Sequence, residues 1–142
     1  MTLEELNCHA PDQKLVNQIY HTNDFDFVGL ALQSEMAPHP IKWYFVAGNQ
    51  NEKFRNIVLR SGIGIAGLVI RTGKPFWRNH LQEAEFASDL YSPIAKCESL
   101  TSAAAVPILS PETHLVTGVL LAGYRKTHSV STQTVDRLSQ YL

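Results

Sequence analysis

Ser61-Gly62-Ile63-Gly64-Ile65-Ala66-Gly67-Leu68-Val69-Ile70-Arg71-Thr72-Gly73-Lys74-Pro75-Phe76-Trp77 is the stretch on which the reading of this chain turns. Glycines 62, 64 and 67 open a short apolar helix, Thr72-Gly73-Lys74-Pro75 closes it, and an aromatic strand follows. The first turn of such a helix carries backbone N–H groups with no acceptor inside the helix. Small residues there let chain or ligand come close to those groups.

The elements on either side place this unit in a layered domain. Pro11 suits the first turn of a helix running to about His21, with Leu15, Val16, Ile19 and Tyr20 on one stripe; a helical turn is expected before it, over Leu3 to His9. Phe25 to Leu32 reads as a strand, Met36 to Pro40 as its turn, and Ile41 to Ala47 as the antiparallel partner. Strict alternation puts Ile41, Trp43, Phe45 and Ala47 of that partner on one face. Glu52 to Arg60 is helical in pattern, with Phe54, Ile57 and Val58 aligned for burial. After the glycine unit come a short strand, 75–78, and a polar segment, 79–90. Ser92-Pro93-Ile94-Ala95 is a helix start in which Ser92 can cap and Pro93 takes the first position. Two buried strands follow, 103–109 and 117–124, joined by a turn at 110–114. A last helix over 131–142 shows Val135, Leu138, Tyr141 and Leu142 on its apolar side. The expected class is α+β: an antiparallel sheet with the terminal helices on one face and crossover helices on the other, all within one domain, 1–142.

Composition narrows the function. The chain has 142 residues, 44% of them hydrophobic and 18% charged, which is enough apolar content for a substantial core. The formal net charge is −1 and no run of Lys and Arg exceeds two residues, so a nucleic-acid partner is not expected. The start, Met1-Thr2-Leu3-Glu4-Glu5-Leu6, lacks the basic and apolar stretches of a secretory signal, and no apolar run reaches the roughly 20 residues of a membrane span. Cys8 and Cys97 form no metal or disulfide framework and read as free thiols in a reducing compartment. A cytoplasmic domain without membrane contact is the expectation.

The element order resembles the GAF family over nearly the whole chain, through Gly62 to Gly67 with Thr72 to Pro75, and through Val106-Pro107-Ile108 followed by Gly118-Val119-Leu120. Within that family the likeness is to the stand-alone nitrate receptors. It rests on the single-domain length, Trp43 on the second strand, Ile65-Ala66 at the helix opening and Tyr91-Ser92-Pro93-Ile94-Ala95. The resemblance implies a fold in which ligand lies between sheet and crossover helices. It implies nitrate-contacting residues at Trp43, Ile65, Ala66, Gly67, Tyr91, Pro93, Ile94 and Ala95, with no cofactor, no metal and no catalytic residue. It also implies a sensor histidine kinase as partner in a two-component system that controls nitrate respiration. The terminal helices either pair between chains as a homodimer or simply cover the sheet.

The chemistry of these residues is compatible with an anion. If the helix starts at Gly64 and at Pro93 converge, their free amides and partial positive charges favour a negative ligand without a buried cation. Nitrate is planar, singly charged and weakly hydrated, so it enters a small apolar pocket more readily than phosphate or sulfate. Trp43 can supply a flat wall and an indole N–H, and Tyr91 a hydroxyl.

Other chemistries are less well served. The six histidines, at 9, 21, 39, 80, 114 and 128, show no metal-site spacing. Asp24 and Asp26 alternate with aromatics as on a solvated strand edge, and Glu83, Glu85 and Asp89 read as an exposed polar face. Cys97 is the competing catalytic residue, because GAF enzymes that reduce free methionine sulfoxide use cysteines near this region. Only distant Cys8 is available to resolve a sulfenic acid. A GAF module that binds a nucleotide or another organic ligand is the third reading.

Overall fold

The computed structural model describes residues 10–82, 92–126 and 128–142. Helix α1 spans Ala10–Thr22; strands β1 and β2 are Phe27–Gln33 and Ile41–Ala47; a 3-10 turn follows at Lys53–Asn56. Helix α2 is Gly64–Thr72, β3 is Phe76–Asn79, α3 is Pro93–Cys97, β4 and β5 are Ser102–Leu109 and Val116–Tyr124, and α4 is Thr132–Ser139. The expected turn at Leu3 to His9 and most of the polar segment lie outside the described residues.

The strands form one five-stranded sheet in the order β2-β1-β5-β4-β3. Every neighbouring pair is antiparallel. Because side chains alternate across a strand, central strands β1, β4 and β5 must bury both faces, which explains their nearly unbroken apolar sequence. One face packs Val28, Leu30, Ala104, Val106, Leu120 and Ala122 against Val16 and Ile19 of α1 and Val135 and Leu138 of α4. The opposite face packs Phe27, Ala31, Ala103, Ala105, Val119 and Leu121 against α2 and α3 through Ile65, Ala66, Val69, Ile94 and Ala95. The α+β class and the division of helices between faces are as expected from the sequence.

Three local expectations fail, each for a physical reason. Trp43 and Phe45 do not share a face: Leu30 pairs with Phe45 but the next residue, Ala31, pairs with Trp43, leaving Tyr44 as an extra residue in β2. This bulge resets the alternation. Ile41 and Trp43 therefore serve the α2–α3 face, while Phe45 and Ala47 turn to the terminal-helix face. The helix expected over Glu52 to Arg60 shortens to the 3-10 turn, after which the chain extends. The Leu59 amide donates to Ile41 O at 2.9 Å and the Ile41 amide donates to Leu59 O at 2.8 Å, which partly covers the edge of β2. Phe54 is buried, but Val58 then points outward and is 57% exposed. At the C-terminus, α4 stops at Ser139, so Leu142 is exposed while Val135 and Leu138 stay in the core.

The α2 unit follows the sequence closely. Gly73, at φ 68°, adopts the left-handed conformation that ends the helix, and its amide bonds to Val69 O. Gly67 serves a different need: a Cβ there would sit 2.5 Å from Arg60 O and 3.1 Å from Gly62 N, so the chain before the helix packs directly on its α-carbon. Helix propensity alone favours Gly67→Ala by about 1 kcal/mol. The contact with Arg60 O reverses that sign, and urea denaturation of Gly67→Ala is expected to show a loss of about 1–3 kcal/mol.

Candidate functional site

The site grows from the first turn of α2. Ile63 caps the helix in extended conformation and Gly64 takes φ 71°, turning the chain sharply into the helix. Gly62 N bonds to Gly67 O, Ile63 N to Arg60 O, and Gly67 N to Ile63 O. Among the described residues the amides of Gly64, Ile65 and Ala66 donate no backbone hydrogen bond outside the helix. Ile65 and Ala66 are nonetheless buried, at 1% and 0% exposure, so this first turn is shielded from bulk water.

Trp43 comes from the second strand of the sheet. It is buried in the same apolar cluster as Ile65, Ala66, Ile94 and Ala95. The indole lies against Gly29, where a Cβ would stand 3.2 Å from Cε3 of Trp43 and 3.0 Å from the Phe27 ring. Gly29 is thus the residue that lets a large aromatic lie against the sheet; its signal in the sequence is a glycine in the middle of an apolar strand. Trp43 Nε1 is buried and, among the described residues, has no hydrogen-bond partner. Burying an indole N–H without an acceptor is unfavourable, so such a group marks a place where an acceptor belongs.

The third wall is α3, with Ile94 and Ala95 buried and Pro93 half-buried at its first position. Ser92 precedes it in cap position but makes no side-chain cap bond, and among the described residues its buried Oγ also has no partner. The expected capping role of Ser92 is therefore not observed. Tyr91 lies outside the described residues. The structure brings Trp43, Ile65, Ala66, Ile94 and Ala95 into one cluster; Gly67 is buried on the same helix with main chain against it. A cavity of about 400 Å³ opens alongside, lined by residues 56–60, Ile63 and Pro93. Of the described members of the sequence-derived set only Pro93 reaches it, and segment 56–60 forms a wall that its helical reading concealed. Among the described residues the buried charged side chain is that of Glu98, and no buried Lys or Arg faces the cluster.

Asp24 and Asp26 are more than a solvated edge. Tyr124 donates to Asp24 Oδ1 at 2.7 Å, which holds the Asp24 carboxyl below its usual range, while burial and then Asp24 push the Tyr124 phenol upward. Asp26 Oδ2 accepts from the Arg125 amide at 2.8 Å. Among the described residues no group of His, Cys, Asp and Glu is arranged to hold a metal. No described helix is long and apolar enough to cross a membrane.

Cys97 sits at the end of α3, half-buried, with Sγ 3.5 Å from Asn51 Oδ1 and 3.8 Å from Glu98 Oε2. Burial, with the Glu98 carboxylate beside it, pushes the thiol up, so it stays protonated at neutral pH. That is the opposite of the low-pKa environment a reactive cysteine needs.

No family model matches the chain, and no curated protein matches it. Solved structures do. The GAF domain of an Acinetobacter phosphoenolpyruvate-protein phosphotransferase superposes with a TM-score of 0.67 at 18% identity, covering 89% of this chain and 71% of that one. A type II free methionine-R-sulfoxide reductase from Thermoplasma acidophilum gives 0.69 at 15% identity, over 93% and 84%. At these identities the likeness is one of fold, and the fold is that of a GAF domain. The relation is closer to NreA from Staphylococcus aureus, in a structure mutated in its nitrate binding site: TM-score 0.75 and 35% identity, covering 85% of this chain and 88% of that one. The chain belongs to the GAF family, with NreA-like relatives.

The protonated state of Cys97 can be measured directly. In a Cys8→Ser variant, the rate of alkylation by iodoacetamide should rise with pH to a midpoint above that of a free cysteine, roughly 8.5. A midpoint at or below that value would restore Cys97 as a nucleophile.

Proposed function

We propose that this protein is a nitrate receptor, binding nitrate and related small anions such as nitrite without transforming them. The observation that carries the reading is the buried, unpartnered indole N–H of Trp43 in one cluster with the first turn of α2, where the Ile65 and Ala66 amides have free donor capacity. These are neutral donors in an apolar setting. They suit a weakly hydrated monovalent oxyanion, whose three oxygens lie in one plane and accept from several directions. Phosphate and sulfate carry more charge and lose more hydration on entering such a place. The 35% identity to NreA, described as having a nitrate binding site, supports the same ligand.

In this reading Trp43, Ile65, Ala66, Gly67, Tyr91, Pro93, Ile94 and Ala95 surround the ion. Gly67 contributes by letting the preceding chain pack beneath the helix. The Ser92 hydroxyl joins them as a further donor, because its Oγ is buried and unused by the helix start. The receptor acts in the cytoplasm on a sensor histidine kinase, as part of a two-component system controlling nitrate respiration. It restrains phosphorylation until nitrate favours a different conformation or complex. The terminal helices offer a surface for a homodimer. The raised pKa of Cys97 weighs against thiol-dependent reduction of methionine sulfoxide as the function of this site.

Titration calorimetry with nitrate, nitrite, chloride and sulfate tests the reading, with heat expected from nitrate and none from sulfate. Heat from sulfate alone would end it. Trp43→Phe keeps an aromatic wall but deletes the N–H, and should weaken nitrate binding roughly tenfold to hundredfold, the range of a hydrogen bond to a charged group. Ala66→Pro removes one amide in the first turn and should also weaken binding. Wild-type affinity in a folded Ala66→Pro protein would rule out the proposed geometry.

A further inference from the structure

Helix α3 has only five residues, too few to hold a helical shape by its own hydrogen bonds. Its position must come from tertiary contacts, the burial of Ile94 and Ala95 among them. The C-terminal end is fastened to the rest of the molecule by an ion pair that the sequence did not reveal. Glu98 is fully buried; its Oε1 accepts from Arg125 Nη2 at 2.6 Å and from the Gln50 amide at 2.8 Å. Arg125 Nε donates to Glu98 O at 2.8 Å. The same guanidinium donates to Asp26 O at 3.1 Å and Gly48 O at 2.8 Å. One loop residue further on, Asn51 Nδ2 donates to Cys97 O at 3.2 Å. The end of α3 is thereby tied to the entry of β1, the exit of β2 and the end of β5 together.

A buried ion pair is a weak source of net stability, because desolvation offsets most of its attraction. What this one provides is direction: a planar guanidinium with several fixed donors holds its acceptors in one geometry. Ile94 and Ala95 lie only a turn away, in the cluster with Trp43 and Ile65. We infer that Glu98 and Arg125 are positioning residues for the anion site, setting where α3 stands against Trp43 and the first turn of α2. The inference rests on the nitrate reading for its consequence, though the placement of α3 can be measured without any ligand.

The test compares wild type with Glu98→Gln, Arg125→Met, Arg125→Lys and Asn51→Ala by amide hydrogen exchange, without added anion, and by nitrate calorimetry. Exchange at residues 94–97 should quicken at least tenfold in Glu98→Gln and Arg125→Met, with α4, β4 and β5 protected as in wild type. Nitrate affinity should fall in parallel by tenfold or more, and Arg125→Lys should recover part of both losses. Asn51→Ala, which leaves the charges paired, should produce a smaller change of the same kind and keeps the test available if the charge variants do not fold. Unchanged exchange at 94–97 in a folded variant would overturn the inference. So would faster exchange spread evenly over the sheet, which indicates general support alone. Wild type that takes up no nitrate overturns the functional reading and leaves the exchange comparison to decide the role of the pair.

Discussion

Arg125 stands where three strand ends and a short helix meet, and its guanidinium donates to Asp26 O, Gly48 O, Glu98 O and Glu98 Oε1. A sheet whose two faces are both covered has its polar backbone groups paired within the ladder, but at strand ends the carbonyls lose those partners. Here one side chain satisfies several of them at once. The acidic partner is contributed by the residue that caps α3, so closing the sheet end and placing the helix are a single event. Gly48 belongs to the same junction: at φ 76° it adopts a conformation in which a side chain is strained, and its carbonyl is presented to Arg125.

This arrangement keeps full charges beside the apolar cluster rather than inside it. A fixed cation within the site would attract any anion, multivalent ones most strongly. The polar groups at hand are instead neutral: an indole N–H, the Ser92 hydroxyl and the amides of a helix start, each a partial charge only. In the proposed nitrate receptor, discrimination rests on shape and hydration more than on charge. Gly29 and Gly67 make this possible in complementary ways, one admitting the Trp43 indole against the sheet and the other admitting main chain against α2.

Much of the fold was readable along the chain. The boundaries of β2 and α2, the αL glycine that ends α2, and the burial of Val16, Ile19, Val135 and Leu138 agree with local patterns because each depends on neighbours within a turn or two. The helical pattern at 52–60 gives way to the Lys53–Asn56 turn for the converse reason. Its apolar spacing fits helical periodicity, yet Leu59 gains a pair of backbone bonds by extending alongside Ile41, eighteen positions away, and no local pattern reports that opportunity. The site divides in the same way. Trp43, Ile65, Ala66, Ile94 and Ala95 were identifiable as a set through family resemblance, and they lie in one apolar cluster. Gly29, the unpartnered Ser92 hydroxyl and the 56–60 wall were not, since each acquires its role from a residue distant in sequence.

The linear order of residues was sufficient to establish a two-faced sheet, its helices and the glycine-opened turn, because period, caps and small residues act over short range. Which face each side chain of β2 serves was left to the assembled sheet, where one extra residue at Tyr44 sends Trp43 to the α2–α3 face and Phe45 to the terminal-helix face. The partnership of Glu98 with Arg125 was equally invisible, as two unremarkable charges become a buried pair only after β5 and α3 have been brought to the same corner. Long-range pairing supplies no periodic signal, so both features had to wait for the packed molecule.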